Sequence, residues 1–422
     1  MKIDAGHPFR RRLALLGGTT TLADCRIALR HLADRQGLVR GPAIEAYERA
    51  FAERIGVRFA LSFAAGRVGL YGVLRCLGIG RGDEVLLQAP THIVVANAIR
   101  YTGARPVYVD IDLATYNMDV AQAAERVTTR TRAIVLQHTF GIPADVDATL
   151  ELAERHGLPV IEDCVHSLGA RSRGRLLGSL GRAAFFSTEE TKTISTTMGG
   201  MVTTNDPELA ASLRGFQAAC PWPSASLAAR YLLKLVTWHV LTEPHLHRYS
   251  RATYDLLGNR HPLPLPTVKE ELLGLRPSRY EERLGNGQAA IGLQQLRQLD
   301  ANLAHRRRIA EAYAELLAER GLRGPSVPED AEAAFVRYPV WVENRPAVER
   351  ALAPLAVPGT WFTSVLEEAV SPRHGDYEDG SCPRAELAAS HLYNLPTHPR
   401  VRREDAVALV DALAAIEHGR PT

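Results

Sequence analysis

Residues 183–204 read AAFFSTEETKTISTTMGGMVTT, and this stretch decides the fold. Two apolar runs, 183–187 and 201–204, predict buried strands, and the turn between them carries Lys192 and the pair Gly199-Gly200. A lysine fixed between buried strands is partly desolvated, so its amine can lose a proton near neutral pH although its free pKa is about 10.4. A Schiff-base lysine requires such an amine. The alternative is an ordinary surface-loop lysine.

The segments around this stretch alternate between short β-branched runs and stretches of helical period. The predicted strands cover residues 57–62, 84–88, 106–111, 133–138, 159–163, 183–187 and 201–204. The predicted helices between them cover residues 68–77, 93–102, 120–126, 147–156 and 207–216. This alternation predicts an α/β domain, in which a mostly parallel sheet is covered by helices on both faces and binds ligands at the carboxyl ends of its strands.

The pattern changes after residue 219. An amphipathic segment at 227–241 and a Pro-rich run at 261–266 predict a helical insertion followed by a linker. One long helix at 287–320, a strand at 335–341 and a last helix at 404–416 predict a smaller α+β domain. We therefore divide the chain into an N-terminal helical arm (1–56), a ligand-binding major domain (57–219), an insertion with its linker (220–278), and a C-terminal long helix with a small domain (279–422).

Bulk composition argues against several classes of protein. A net charge of +3 over 422 residues offers no basic surface for nucleic acid. Five cysteines without a C-x-x-C pair favour reduced thiols in the cytoplasm over a disulfide frame or a metal site. No apolar run reaches the roughly 18 residues of a membrane span. The N-terminal segment lacks the cleavage site of a signal peptide.

A carboxylate is predicted at the end of the strand at 159–163. Glu162-Asp163 is followed by Cys164-Val165-His166. A buried carboxylate costs several kcal/mol unless it meets a cation, and a protonated pyridine nitrogen would satisfy Asp163. Such a contact would keep a pyridoxal phosphate ring an electron sink. The alternative is that Asp163 caps a turn.

An anion site is predicted where the strand at 57–62 meets the next helix. The turn Ala65-Gly66-Arg67 lets backbone N–H groups at a helix N-terminus face an anion. Ser187, five residues before Lys192, could add a hydroxyl to the same phosphate. A hydrogen bond inside its own turn is an equally simple role for Ser187.

Taken in order, these motifs resemble those of the DegT/DnrJ/EryC1/StrS family of pyridoxal-phosphate-dependent sugar aminotransferases. The resemblance covers nearly the whole chain. Besides the Asp163 and Lys192 motifs, the matching stretches are GP at 41–42, LGIGRGDEV at 77–85, GARPV at 103–107, GIPAD at 141–145, QAAIGL at 288–293 and LPTHP at 395–399. The order and spacing of these stretches together make the match specific.

The resemblance implies an aspartate-aminotransferase-like, fold type I architecture. This has a three-layer αβα major domain with a mixed, mostly parallel sheet and a smaller α+β C-terminal domain. It also implies pyridoxal 5′-phosphate as cofactor and a homodimer whose active sites are shared between subunits. By position, Lys192 forms the Schiff base and moves the proton, Asp163 pairs with the pyridine nitrogen, and His166 approaches the phenolic oxygen. The other cofactor-binding positions are Gly66, Arg67, His92 and Ser187.

Several positions depart from the family pattern. The usual Ser-Gly-Thr phosphate turn is Ala65-Gly66-Arg67 here, which loses two hydroxyls and gains a guanidinium that could bind phosphate. His92 replaces the aromatic ring that usually stacks on the cofactor, and Met198 replaces a glutamate. Glu281 stands where an asparagine often reaches the partner's phosphate, two residues before Arg283, so the sequence leaves that cross-subunit contact open.

The resemblance predicts transfer of an amino group from an amino acid, L-glutamate or L-glutamine, to a nucleotide-linked keto-sugar or a keto-cyclitol. One alternative is a sugar dehydratase on the same scaffold, but such relatives carry histidine where this chain has Lys192. The other is a non-catalytic, cofactor-binding regulatory protein.

Two interpretations of the insertion at 220–278 stay open. It is either a helical flap that completes the dimer or covers the site, or a docking face for an unusual acceptor, a carrier protein or a membrane surface. The docking face would be an apolar stripe of Trp222, Tyr231, Leu232, Leu235, Trp238 and Leu241.

Overall fold

The computed structural model describes residues 11–34, 37–247, 266–357, 359 and 361–419. Its helices are α1 (Leu22–Ala33), α2 (Ala43–Ile55), α3 (Gly66–Cys76), α4 (Ile93–Arg100), α5 (Val120–Arg126), α6 (Val146–His156), α7 (Pro207–Ala219), α8 (Ala225–Leu241), α9 (Lys269–Leu272), α10 (Asn286–Arg297), α11 (Leu299–Glu319), α12 (Arg345–Leu352), α13 (Pro383–His391) and α14 (Arg403–Glu417). Its strands are β1 (Phe59–Phe63), β2 (Glu84–Gln88), β3 (Thr91–His92), β4 (Arg105–Val109), β5 (Thr131–Gln137), β6 (Val160–Asp163), β7 (Arg171–Ser172), β8 (Arg175–Leu176), β9 (Ala183–Ser187), β10 (Gly200–Thr204), β11 (Ala331–Glu332), β12 (Arg337–Trp341), β13 (Leu366–Glu367) and β14 (Leu392–Pro396).

Within these residues, seven strands form the central sheet in the order β1-β10-β9-β6-β5-β2-β4. Strand β10 runs antiparallel to both of its neighbours, and the remaining adjacent pairs are parallel. The mixed, mostly parallel sheet is therefore confirmed. The strands expected at 84–88 and 183–187 have the observed bounds, and the other sheet strands lie within two residues of their expected bounds.

Helices cover both faces of this sheet. Side chains alternate along each strand, so Phe185 faces one core while Ala184 and Phe186 face the other. The first core is closed by α3, α4 and α7, and the second by α2, α6 and α10. Because both faces are buried, the strands read as nearly continuous apolar runs. The three-layer αβα prediction is confirmed.

The single long helix predicted at 287–320 is wrong. The chain forms α10 and α11, which meet at Gln298 with φ −101° and ψ −1°. Ala289 of α10 belongs to the core under the sheet, whereas Tyr313 of α11 belongs to the separate core of the small domain. α11 passes from one core to the other, because Leu299 and Leu303 at its start still pack under the sheet.

The small domain has its own apolar core. Strands β12 and β14 pair antiparallel, and α11, α12 and α14 pack with them. Leu13, near the start of the described chain, joins this core and bridges to Ala356. An N-terminal segment therefore contributes to the C-terminal domain.

The insertion begins with α8, which packs against α1. Leu232 and Leu235 of the proposed apolar stripe are buried there with Cys25 and Ala28. These two leucines are therefore not available as a docking face. The Pro-rich run at 261–266 lies outside the described residues apart from Pro266. No helix in the described part of the chain is long and apolar enough to span a bilayer.

A buried glutamate fixes the end of β6. Glu162 is fully buried, and its carboxylate accepts hydrogen bonds from the backbone N–H groups of Gly178, Leu180 and Gly181, each at 2.8 Å. Burial opposes ionisation, but His138 and these N–H groups together lower the pKa of Glu162. The carboxylate therefore ties the turn before β9 to the strand that ends at Asp163.

Glu162→Gln should lower the free energy of unfolding by about 2 kcal/mol, because the amide NH2 would face backbone donors in place of an oxygen. Urea unfolding followed by circular dichroism measures the effect. Glu154→Gln, on the exposed side of α6, is the control and should leave the midpoint unchanged. Equal midpoints for both variants would show that the Glu162 network contributes no stability.

Candidate active site

The seven residues predicted to form the site surround one cavity of about 270 Å³ at the carboxyl ends of the parallel strands. They are Gly66, Arg67, His92, Asp163, His166, Ser187 and Lys192. Sequence positions as far apart as 66 and 192 meet there because β1, β6 and β9 lie in one sheet. The topology thus collects motifs that are separate in the sequence.

Lys192 lies on the turn between β9 and β10, and its backbone N–H donates to Glu189 O at 3.0 Å. Its Nζ lies 3.7 Å from the centroid of the Trp361 ring. Burial lowers the pKa of Lys192 to about 8, although the charges of Glu189 and Asp163 oppose this shift. A substantial fraction of this amine is therefore neutral near physiological pH.

Asp163 ends β6 and is 1% exposed. Its Oδ1 accepts a hydrogen bond from Val165 N–H at 3.1 Å, while Oδ2 has no hydrogen-bond partner among the described residues. Burial raises the pKa of Asp163 to about 7, and the charge of Lys192 opposes the shift. This carboxylate can accept a further hydrogen bond inside the cavity.

His166 lies three residues beyond Asp163 and is buried. Its ring stacks on Trp361 with centroids 4.3 Å apart and an interplanar angle of 24°. Its Nδ1 has no partner among the described residues. Burial, together with the charges of Lys192 and Arg337, lowers the pKa of His166 well below its usual value, so the ring is neutral. A neutral imidazole can donate or accept one hydrogen bond at the cavity.

The predicted anion cradle lies at the N-terminus of α3, which begins at Gly66 after Ala65, a residue without a side-chain cap. A Cβ at Gly66 would lie 2.8 Å from Phe186 O, so only glycine fits there. Ser187 Oγ accepts from Glu189 N–H at 3.3 Å and lines the same cavity. The first N–H groups of α3 and the Ser187 hydroxyl therefore have the chemistry to bind an anion, as the sequence predicts.

Arg67 has a second role that the sequence did not indicate. Its Nε lies 2.6 Å from the buried carboxylate of Glu271, and its Nη2 donates to Pro266 O at 3.0 Å. The guanidinium therefore ties α3 to the last part of the insertion and linker (220–278) while still lining the cavity. An anion bound at the N-terminus of α3 would therefore contact an Arg67 guanidinium that is already paired with Glu271.

His92 is fixed at the start of α4. Its Nδ1 accepts from Val94 N–H at 3.3 Å, and its Nε2 lies 3.3 Å from Glu368 Oε2. Burial opposes ionisation of Glu368, but the hydrogen bond and charge of His92 lower the pKa of Glu368 to about 2. The imidazole at the cavity thus has an acidic partner that an aromatic hydrocarbon ring would lack.

Glu281 and Arg283 both make contacts within the chain. Glu281 forms an ion pair with Arg276. Arg283 Nε donates to Gln217 O at 2.7 Å and to Cys220 O at 3.1 Å, and its guanidinium lies over Trp222. Arg283 therefore satisfies carbonyl groups at the C-terminus of α7.

The chain matches a known protein family over most of its length. A model of the DegT/DnrJ/EryC1/StrS aminotransferase family matches residues 23–230 and 258–414. The chain belongs to this family. The aminotransferase is 32% identical over 380 residues to GDP-perosamine synthase of Caulobacter vibrioides, which covers 88% of this chain and 90% of the relative.

Two further likenesses extend this result. The aminotransferase is 32% identical over 340 residues to L-glutamine:scyllo-inosose aminotransferase of Streptomyces griseus, across 79% of this chain and 71% of the relative. The solved structure of the aminotransferase TlmJ from Streptoalloteichus hindustanus is 28% identical with a TM-score of 0.73, across 96% of this chain and 98% of that chain. The predicted family, the aminotransferase activity and the aspartate-aminotransferase-like, fold type I architecture are confirmed.

Two residues of the aminotransferase's site, the aromatic Trp361 and the cationic Arg337, were not predicted from the sequence. Trp361 lies between Lys192 and Arg337, whose guanidinium is 4.8 Å from the ring centroid. Arg337 is 4% exposed, lines the cavity, and its Nε has no hydrogen-bond partner among the described residues. Arg337 is one of many arginines and Trp361 one of four tryptophans, so only the fold distinguishes them.

The lowered pKa of Lys192 predicts its chemical reactivity. Labelling of the aminotransferase by an amine-selective reagent should rise through a midpoint near pH 8 at Lys192, because only the neutral amine reacts. Peptide mass spectrometry across a pH series measures the midpoint, with exposed Lys269 as the internal control. A midpoint near the free value of about 10.4 would contradict the buried environment of Lys192.

Proposed function

We propose that the protein is a pyridoxal 5′-phosphate-dependent aminotransferase that aminates a keto-sugar or keto-cyclitol. The observation that carries this proposal is the cavity shared by the desolvated Lys192 amine and the buried Asp163 carboxylate with its free Oδ2. An amine and a carboxylate in this arrangement suit an aldehyde cofactor with a basic ring nitrogen. The proposed substrates are an amino acid, which supplies the amine, and a ketone, which receives it.

The residues present fit this cofactor. The free Oδ2 of Asp163 offers an acceptor for a ring N–H, and the free Nδ1 of His166 offers a partner for a ring oxygen. Only glycine fits at position 66, and the N-terminus of α3 has no side-chain cap. Together with Ser187, this helix end offers a site for a phosphate. Each polar group of the cofactor therefore has a counterpart in this chain.

Bound cofactor supplies an electron sink that stabilises negative charge at the substrate carbon. Lys192 holds the cofactor through its amine, and it later acts as the base that moves a proton. Asp163 keeps a proton on the neighbouring ring nitrogen, since a buried carboxylate favours a cationic partner. His166 would orient the ring through its neutral imidazole, and His92, which lines the same cavity, would contact the ring.

We propose Arg337 as the group that binds the carboxylate of the amino-acid donor. It is a buried guanidinium at the cavity, and no described carboxylate forms an ion pair with it. Burial lowers the pKa of Arg337 to about 10, so the side chain stays cationic at neutral pH. The charge of Glu189 acts on Arg337 without a direct ion pair, and a substrate carboxylate would make that direct contact. L-Glutamate and L-glutamine both carry it, and one relative is named for L-glutamine.

The names of relatives support the acceptor class. One is a GDP-perosamine synthase and another acts on scyllo-inosose, so the family includes enzymes for both sugars and cyclitols. We further propose a homodimer with shared sites. Exposed apolar side chains on the adjacent helices α1 and α8, Leu22, Leu29, Leu233 and Val240, support an interface there.

Lys192→Ala should abolish amino transfer, because Lys234, the other described lysine that lines the cavity, is engaged in an ion pair with Glu190. The measurement mixes protein, pyridoxal phosphate and L-glutamate, and follows 2-oxoglutarate formation. Borohydride reduction of the wild type should also leave the cofactor attached to the peptide containing Lys192. Lys269→Ala is the control with an unrelated lysine. Undiminished transfer by Lys192→Ala would end the proposal.

Arg337→Met should raise the KM for the amino-acid donor by about 30-fold or more, since a lost charge-assisted contact costs about 2–5 kcal/mol. Arg337→Lys keeps the positive charge but loses the paired N–H donors of the guanidinium, so its donor KM should lie between those of the wild type and Arg337→Met. Stopped-flow measurement of the donor step isolates this effect from acceptor binding. An unchanged donor KM in Arg337→Met would assign the carboxylate to another residue.

A further inference from the structure

The family match has a gap inside the active site. Residues 231–257 lie outside the segments that the family model matches. Two residues of this gap, Lys234 and Trp238 on α8, nevertheless line the cavity that contains Lys192 and Asp163. The insertion therefore adds its own side chains to the site.

Lys234 makes a buried ion pair with a residue of the Lys192 turn. Its Nζ lies 2.9 Å from Glu190 Oε1, and the two side chains are 5% and 7% exposed. Glu190 is two residues before Lys192 and lines the same cavity. Its second oxygen, Oε2, is buried and has no hydrogen-bond partner among the described residues. A residue that lines the cavity thus carries one buried acceptor without a donor among the described residues.

The ion pair is not needed to attach α8. Leu232 and Leu235 already bury that helix against α1, and apolar residues of similar size commonly stabilise a fold as well as a buried ion pair does. A buried carboxylate with a spare lone pair is costly unless a ligand satisfies it. Its placement beside the reactive amine indicates a ligand that reaches Lys192.

We propose that Glu190 selects the acceptor by accepting a hydrogen bond from one of its hydroxyl groups, and that Lys234 is a positioning residue that keeps Glu190 ionised and oriented. This inference rests on the proposed function and assigns a residue that recognises the hydroxyl groups of its keto-sugar or keto-cyclitol acceptor. The donor amino acid fits less well, because its carboxylate would be repelled by Glu190 and attracted to Arg337. A ketone bears neutral O–H donors, which a carboxylate binds strongly.

The experiment separates the two half-reactions. With the cofactor in its amine form, the acceptor step is followed on scyllo-inosose, on a nucleoside-diphosphate-linked keto-hexose, and on cyclohexanone, which has no hydroxyl. Glu190→Gln should raise the KM for the preferred hydroxylated ketone by about tenfold to 100-fold, the usual effect of losing a hydrogen bond to a charged group. The KM for L-glutamate and the KM for cyclohexanone should each change less than about twofold.

The pair Glu190→Gln/Lys234→Met removes both buried charges together, so it keeps the fold even if a single variant does not. It should show the same loss of acceptor selectivity with a Tm close to that of the wild type. Lys269→Met and Glu154→Gln, both at exposed positions, make the same chemical changes away from the cavity and serve as controls.

The pH dependence of Lys234→Met distinguishes a positioning role of Lys234 from a purely structural one. Burial raises the pKa of Glu190 to about 7. The charge of Lys234 opposes this rise, whereas the charge of Glu189 adds to it. The other cations that line this cavity are Lys192, Arg67 and Arg337. Without Lys234, the pKa of Glu190 should rise further, so the carboxylate forms only at higher pH. In this variant the acceptor kcat/KM should therefore recover as pH rises from 7 to about 9.

Several outcomes would overturn the inference. These are equal rises in donor and acceptor KM, an unchanged acceptor KM in Glu190→Gln, or a wild type that uses cyclohexanone as well as every hydroxylated ketone. A wild type that converts L-glutamate but accepts none of the hydroxylated ketones overturns it too. A wild type that converts no amino acid overturns the proposed function as well, and the donor step alone reveals this.

Discussion

A buried carboxylate with one free oxygen is the constraint on which the active site depends. Asp163 loses its hydration at the end of β6 and recovers only one backbone hydrogen bond. Glu162, next to it, is fully satisfied on the opposite side of the strand and fixes the backbone that carries Asp163. The fold thus holds an unsatisfied group in place where a cationic ring can satisfy it.

Much of this arrangement could be predicted from sequence because it depends on local patterns. Alternating apolar runs give the strands, and motifs at strand ends give Asp163, Gly66 and Lys192. In a parallel sheet such ends meet at one edge, so the site follows from the order of the strands. The predicted positions line one cavity for that reason.

Other parts depend on contacts between distant segments, which no local pattern encodes. Arg337 and Trp361 come from the small domain, and Lys234 reaches the cavity from α8. The partner of Arg67, Glu271, lies about 200 positions away in sequence, so the sequence indicated an anion site but not the competing carboxylate. The single helix expected at 287–320 is divided at Gln298, where the apolar periodicity of the sequence gives no sign of a break.

The break between α10 and α11 also separates two sets of cavity walls. Asp163 and Lys192 belong to the sheet side, whereas Arg337 is carried on β12 in the domain that packs on α11. Leu299 and Leu303, at the start of α11, still pack in the core under the sheet, so α11 connects the two cores. The distance between the reactive amine and the arginine is therefore set by the packing of one helix against both cores.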